Sequence, residues 1–352
     1  MASDDGPTQL PQQVSFTGEL ALRCAYGENA WQAPAGLFST RTSDPLALDQ
    51  FGVVQGVDPS YNNLCDLDRL LQAATHIAAI FEANTGNVPF IAIGVKHGNP
   101  CGASISTSRI RAIEGMVTGD SRALFGGLVM LNFPLDQDLA EILLTHQSKG
   151  RRVLDGVVVP EVSVLALDSL KRKGDKCRIF VNPALASLTL ASLDVAPRFR
   201  YVRGGILVQP NYTRVLTLTD PEVQHYGTLT PRQHHDLLLA WAVCATSNSN
   251  TITIVNNGML IGNGVGQQDR VGAAELALKR AHDAGHATRG SVAVGDSFFP
   301  FPDAVERLLD GGVEVIQATS GSIRDEEIKG VCAARGATLI HVPDKYLRIF
   351  FH

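Results

Sequence analysis

A chain of 352 residues with 45% apolar and 18% charged residues has the composition of a protein with a sizeable core, which excludes a disordered polymer. Its formal net charge of −5, with Lys and Arg dispersed, lacks the basic patch that nucleic acid or an anionic membrane surface demands, and no apolar run reaches the roughly 18–20 residues of a membrane-spanning helix. Met1-Ala2-Ser3-Asp4-Asp5 has neither the basic start nor the apolar centre of a secretory signal, and the six cysteines stand singly with no Cys-x-x-Cys pair, so free thiols in the cytoplasm are expected.

Residues 1–14 are rich in Pro, Gln and Asp and are expected to form a loose tail. The stretch Leu22 to Gln32, with Tyr26, Gly27, Asn29 and Trp31, reads as an ordered loop, and Gln50–Val57 as a strand ending in a turn. Asn62 or Asn63 then caps a helix running to about Asn84. Its apolar face is Leu67, Leu70, Leu71, Ala74, Ala78 and Phe81, and Gly86 ends it. The run Val88–Val95 is short, β-branched and apolar, which predicts a buried strand. Strand, helix and strand together predict a parallel pair with a right-handed crossover.

Lys96 and His97 stand where that strand ends, and Asn99, Pro100 and Gly102 predict a turn straight after them. Two readings of the pair are open at this point: a solvated strand end, or a cation and a proton carrier held at the rim of a sheet.

Helices are expected over 106–118, 136–146 and 162–171, with strands at 128–131 and 154–159. Residues 175–225 are less regular, although Arg198–Gln209 alternates around Gly204-Gly205 as paired strands do. Thr230-Pro231 starts a helix to Ala245 as a cap and first-turn proline. Asn257-Gly258 between the apolar runs 251–255 and 259–262 predicts a hairpin. Helix, strand, helix, strand, helix and strand follow, at 271–284, 291–294, 304–310, 313–318, 325–335 and 338–342. The alternation predicts an α/β protein of two domains with related architecture.

Several motifs exclude chemistry. Gly262-Asn263-Gly264-Val265-Gly266-Gln267 has Gln267 where a dinucleotide fingerprint needs its third glycine, and no Gly-Lys-Ser/Thr follows it. Anion or carboxamide binding by its backbone and a plain close-packing turn are both open. Pro100-Cys101 beside a histidine hints at a zinc nucleobase deaminase, but the required His-x-Glu and Pro-Cys-x-x-Cys are absent, so no zinc is expected. Phe298, Phe299 and Phe301 suit either core packing or an apolar wall for a flat heterocycle, with Asp303 placed to bind a ring amide.

Taken in order, Lys96-His97-x-Asn99-Pro100-Cys101-Gly102, Ser249-Asn250, Gly264-x-Gly266-Gln267-Gln268-x-Arg270, Asp296-x-Phe298-Phe299-Pro300-Phe301-x-Asp303, Ser320-Gly321-Ser322-Ile323-Arg324-Asp325 and Leu347-Arg348-x-Phe350 resemble 5-aminoimidazole-4-carboxamide ribonucleotide (AICAR) formyltransferase. That activity forms the folate-dependent C-terminal part of the bifunctional purine biosynthesis protein. The resemblance runs from about residue 20 to the C-terminus. It implies two cytidine-deaminase-like α/β domains without zinc: a tail at 1–14, a first domain at 15–174, a connecting segment at 175–229 and a second domain at 230–352. It implies transfer of a formyl group from 10-formyltetrahydrofolate, by homodimers with active sites at the subunit interface and with a separate cyclohydrolase closing the ring. By resemblance, Lys96, His97 and Asn250 are catalytic. Tyr26, Asn63, Gln267, Arg270 and Arg348 bind the acceptor, and Phe298, Phe301 and Asp303 bind folate. The chain departs from the family at Ala25, where an arginine holds substrate phosphate, and at Trp31, where a histidine stands. Arg23 is close enough in sequence to compensate, and the departures imply an altered acceptor or a divergent ordinary enzyme.

Overall fold

The computed structural model describes residues 11–352, so most of the expected tail lies outside the described residues. In chain order the strands are β1 Glu19–Cys24, β2 Ala35–Ser39, β3 Gly52–Gln55, β4 Phe90–Lys96, β5 Asn99–Ser106, β6 Leu128–Leu131, β7 Gly156–Val159, β8 Arg178–Val181, β9 Arg198–Val202, β10 Gly205–Gln209, β11 Gln224–Tyr226, β12 Ile252–Asn256, β13 Met259–Gly264, β14 Val292–Gly295, β15 Val315–Ser320 and β16 Thr338–Pro343. The helices are α1 Tyr61–Thr85, α2 Arg109–Gly119, α3 Gln137–Thr145, α4 Val164–Leu170, α5 Pro231–Ala245, α6 Arg270–Asp283, α7 Asp303–Asp310, α8 Asp325–Ala334 and α9 Asp344–Leu347.

Among the described residues, twelve strands form one mixed sheet in the order β11-β16-β15-β14-β12-β13-β5-β4-β6-β7-β8-β3. The order repeats about the β13–β5 seam. On one side α1 leads into the hairpin β4-β5, then α2-β6-α3-β7-α4-β8; on the other α5 leads into β12-β13, then α6-β14-α7-β15-α8-β16. In each set the third strand is antiparallel to the first strand of the hairpin, and the later strands run parallel. β4 is antiparallel to β5, β5 to β13 and β13 to β12. β4 and β12 therefore run in opposite directions, and the end of β4 lies at the same rim as the start of β12.

Packing follows the sequence periodicity. Leu67, Leu70 and Ile77 of α1 and Trp241 of α5 are fully buried in one core that crosses the seam on a single face of the sheet. The opposite face carries two separate cores, under α2–α4 and under α6–α7–α8. Truncating a core side chain such as Leu67 to alanine costs roughly 2–5 kcal/mol.

Four expectations are corrected. Ser60, rather than Asn62 or Asn63, caps α1; Asn63 is the reciprocal member of the capping box. The expected parallel pair is not adjacent: β6, β7 and β8 lie between β3 and β4, and β4 pairs antiparallel with β5 and β6. Asn99-Pro100-Cys101-Gly102 is strand rather than turn. The turn needs only His97 and Gly98, both at positive φ (54° and 69°), and a register shift at Gly94/Val95 accommodates Pro100 beside Val95. Finally, Arg178–Val181, inside the stretch read as a connection, is a strand of the main sheet; four residues are too few to show a period.

Candidate active site

The site is built where the tip of β4-β5 meets the segment before β12. Lys96 is half-buried and donates from Nζ to Phe125 O at 2.6 Å. One ammonium proton is thereby used and two remain for a ligand. His97 is exposed. The tip beneath it is fixed by Asp66 of α1, whose Oδ1 accepts the Gly98 N–H at 2.7 Å. Burial pushes the Asp66 carboxyl up, opposed by hydrogen bonding from the backbone of the tip, that of Gly98 first.

Asn99 joins the tip to the other half of the sheet: its Oδ1 accepts the Asn248 N–H at 3.0 Å. Asn263 of β13 donates to Pro100 O and to Ser247 Oγ, each at 3.0 Å. These bonds place Ser247–Asn250 against the Lys96–His97 hairpin. Asn250 pairs with Gln267 through both backbones (N–H to O, 3.1 Å each way), and its side-chain Nδ2 donates to Gln267 O at 2.9 Å. The Ser249–Asn250 peptide bond is cis.

Asp296, fully buried, is the hub behind this segment. Its Oδ2 accepts Ser249 Oγ–H at 2.6 Å and Thr251 N–H at 3.0 Å, and its Oδ1 faces Arg270 at 3.4 Å. Burial raises the Asp296 carboxyl above its usual range, against the Ser249 hydrogen bond and the Arg270 charge; burial lowers Arg270, against Asp296. Arg270 also lies 5.9 Å from the ring of Phe298 and 6.0 Å from that of Phe350.

The residues singled out in the sequence thus fall into groups. Lys96 and His97 share one rim with Asn250 and Gln267, and Arg270 and Phe298 adjoin them through Asp296. Arg348 is exposed and ion-paired to Asp344, with its guanidinium 5.3 Å from the Phe350 ring. Tyr26 and Asn63 sit at the start of α1: Tyr26 O accepts Tyr61 N–H at 3.0 Å, and Asn63 Oδ1 accepts Ser60 N–H at 3.0 Å. Phe301 is 53% exposed, with Arg324 5.1 Å from its ring. Asp303 is exposed and accepts Ala304 N–H at 2.8 Å. Of the three phenylalanines, only Phe299 is core.

A cavity of about 360 Å³ opens beside Lys96 and His97, bounded by Asn99–Cys101, Asp120, Leu260–Asn263, Val265 and Arg280. Burial pushes the Cys101 thiol up to about 12, so it stays protonated and is no nucleophile at neutral pH. Among the described residues no group of three or more His, Cys, Asp or Glu is placed to hold a metal ion, and no helix is long and apolar enough to cross a membrane. Sequence reasoning missed Asp66, Asp120, Asn248, Asn263 and Arg280 as parts of this rim. None carries a local signal, because each acts on a residue distant in the chain.

Fold and site together define an α/β protein with a large mixed sheet whose polar chemistry is concentrated at a hairpin tip near the centre of that sheet. The chain belongs to the AICARFT/IMPCHase bienzyme family, which matches residues 1–280. It is 28% identical over 338 residues to the bifunctional purine biosynthesis protein PurH of Polynucleobacter asymbioticus, covering 96% of this chain and 61% of that protein. The corresponding protein of Polynucleobacter necessarius is 29% identical with the same coverage. That of Oceanobacillus iheyensis is 30% identical over 346 residues, covering 97% of this chain and 62% of the relative. The chain therefore spans about three-fifths of the length of these curated relatives.

Proposed function

We propose that this chain is a folate-dependent formyltransferase of purine biosynthesis, moving the formyl group of 10-formyltetrahydrofolate to the exocyclic amine of AICAR. Family membership supports the reaction class. The observation that carries the reading is the Asn99–Asn248 hydrogen bond, which sets an imidazole and an ammonium beside the Asn250 segment at one rim.

The amine is a poor nucleophile, its lone pair being delocalised into the imidazole and carboxamide. Its nitrogen attacks the formyl carbon, and a tetrahedral oxyanion forms. His97 accepts the amine proton and Asn250 orients the pair. Lys96 stabilises the oxyanion or supplies a proton to the folate nitrogen as the old C–N bond breaks. Removing one such electrostatic donor costs about 10² to 10³ in rate. Gln267 and Arg270 are assigned to the carboxamide side of the acceptor, Arg348 to its phosphate, and Tyr26 and Asn63 to its surroundings. Phe298 and Phe301 are assigned to the flat pterin ring, with Asp303 bonding its amide edge; half-buried and exposed rings beside an exposed carboxylate suit that ligand.

Asn250, Gln267, Arg270, Phe298, Phe301 and Asp303 do not border the cavity at Lys96 and His97. The complete site is accordingly assigned to a cytoplasmic homodimer in which a second protomer closes it. The exposure of Trp31, at 80%, suits such an assembly. The two deaminase-like domains are assigned to the two sides of the β13–β5 seam, with β8 belonging to the first, and share one sheet.

A second reading of the acceptor has its own support. The cavity of about 730 Å³ under the 27–36 loop is bordered by Glu28, Trp31, Phe38 and Tyr61 and, among the described residues, by no lysine or arginine. A phosphate has no cation to meet there, which favours an acceptor with less phosphate character. The test is turnover of the purified protein with 10-formyltetrahydrofolate and either AICAR or its dephosphorylated riboside. Formylated AICAR at micromolar KM is the expected result. Preference for the riboside selects the second reading, and no formyl transfer to any aminoimidazole overturns both.

A further inference from the structure

The last residues of the chain return to the site from behind. Ile349 N–H donates to Asp296 O at 3.1 Å, and Phe351 O accepts the Ser249 N–H at 2.9 Å. The Phe351 ring is 2% exposed. It is held between groups from two distant parts of the sequence. The guanidinium of Arg69, on α1, lies 3.5 Å from the ring centroid, while Tyr212 stacks on it at 4.8 Å and 27° and Arg198 stands 4.7 Å away. Arg69 is itself buried, and its Nη1 donates to Thr246 O at 2.8 Å. Burial and the neighbouring Arg198 lower its pKa to about 10, so it remains a cation at neutral pH. One guanidinium therefore grips both the start of the 246–250 segment and the ring whose own carbonyl grips Ser249.

We propose that Phe351 is a positioning residue for Asn250. Its ring, clamped by Arg69 and Tyr212, fixes the carbonyl that holds the Ser249 N–H, and so sets the segment presenting Asn250 to Lys96 and His97. Neither Phe351 nor Arg69 borders the cavity at Lys96 and His97, so the effect runs through backbone placement. A face-to-cation contact away from water is strong and directional, whereas an aliphatic side chain of similar bulk supplies only packing. A small cavity of about 20 Å³ is bordered by Phe351 together with Gln72, Thr75, Asn211 and Thr246, so polar partners for a tyrosine hydroxyl stand close by.

The test compares the full chain with Phe351→Ala, Phe351→Leu and Phe351→Tyr. Hydrogen exchange of the peptide covering 246–251 is the first measurement. Exchange there is expected to rise about tenfold or more in the Ala and Leu variants, with α1 and α5 unchanged, and to stay near wild type in Phe351→Tyr. The second measurement is steady-state formyl transfer, which rests on the function proposed above. The kcat is expected to fall about 10- to 100-fold in Ala and Leu with KM within about threefold, and Tyr is expected to restore it. Unchanged exchange at 246–251, exchange raised uniformly along the chain in both Ala and Leu, or a Tyr variant as impaired as Ala overturns the proposal. A wild-type chain that transfers no formyl group while the local exchange contrast holds overturns the functional reading and leaves the positioning role upheld.

Discussion

Two hairpins of the same construction point in opposite directions from the middle of the sheet. In each, two residues at positive φ make the turn: His97 and Gly98 at 54° and 69°, Asn257 and Gly258 at 55° and 70°. In each, an aspartate at the sixth position of the preceding helix holds the tip. Asp66 accepts one N–H, from Gly98; Asp236 accepts two, from Asn257 at 3.1 Å and Gly258 at 2.6 Å. The second tip is docked further, its Gly258 carbonyl accepting from Ile105 N at 3.0 Å and Ser104 Oγ at 2.9 Å. Asn-Gly is the sequence such a turn prefers, because asparagine tolerates the left-handed region and glycine has no Cβ to clash. The first tip places an exposed histidine where asparagine would fold as well or better. The less favourable residue stands on the hairpin to which the proposed function assigns chemistry.

The sharpest way to break this comparison is to exchange the tips. His97→Asn makes the first turn resemble the second. Formyl transfer should fall by about 10²- to 10⁴-fold, the usual contribution of a positioned proton carrier, while thermal stability is unchanged or slightly higher. The reverse exchange, Asn257→His, should cost less than about 1 kcal/mol of stability and leave turnover within experimental error. Comparable loss of turnover in both variants would mean that His97 serves only the fold.

A smaller contrast lies in the two aspartates. Asp236→Ala strips a fully buried carboxylate from two N–H groups and from Arg232, paired at 2.8 Å, and should cost about 3 kcal/mol in denaturant unfolding. Asp66→Ala frees one N–H on a tip nearer to water and should cost about 1–2 kcal/mol, yet slow transfer more than the second variant does. Equal destabilisation would remove the distinction between a locked tip and a working one.

The smallest contrast is between the glycines. A Cβ on Gly98 meets nothing within 4 Å, whereas on Gly258 it comes within 3.0 Å of Ile105 O. Gly98→Ala should cost about 1 kcal/mol for its left-handed backbone alone, and Gly258→Ala about 1 kcal/mol more for the contact. Thermal midpoints of the two variants measure the difference.

Much of the local structure was legible because its causes are local. The Thr230-Pro231 start, the Gly86 stop and the Asn257-Gly258 turn each rest on residues within one turn of the event. The errors arose where a residue's local habit gave way to a distant partner. Pro100 and Gly102 favour turns, yet they lie in β5 because β4 and β13 flank it. Asn63 reads as a cap, yet Ser60 took that place and Asn63 closed the box from the third position.

The sequence by itself determined the alternation of helices and strands, the family resemblance and the identity of the groups able to move a proton or steady a charge. These follow from side-chain chemistry and from periods of two and 3.6 residues, which neighbours along the chain enforce. Only the tertiary structure decided that β4 and β12 run antiparallel across a shared seam, bringing residue 99 beside residue 248. It likewise decided that Arg69 and Phe351, far apart in the chain, close on the same segment. Contacts of that kind depend on strand direction and on which faces share a core, and neither is written in the residues next to them.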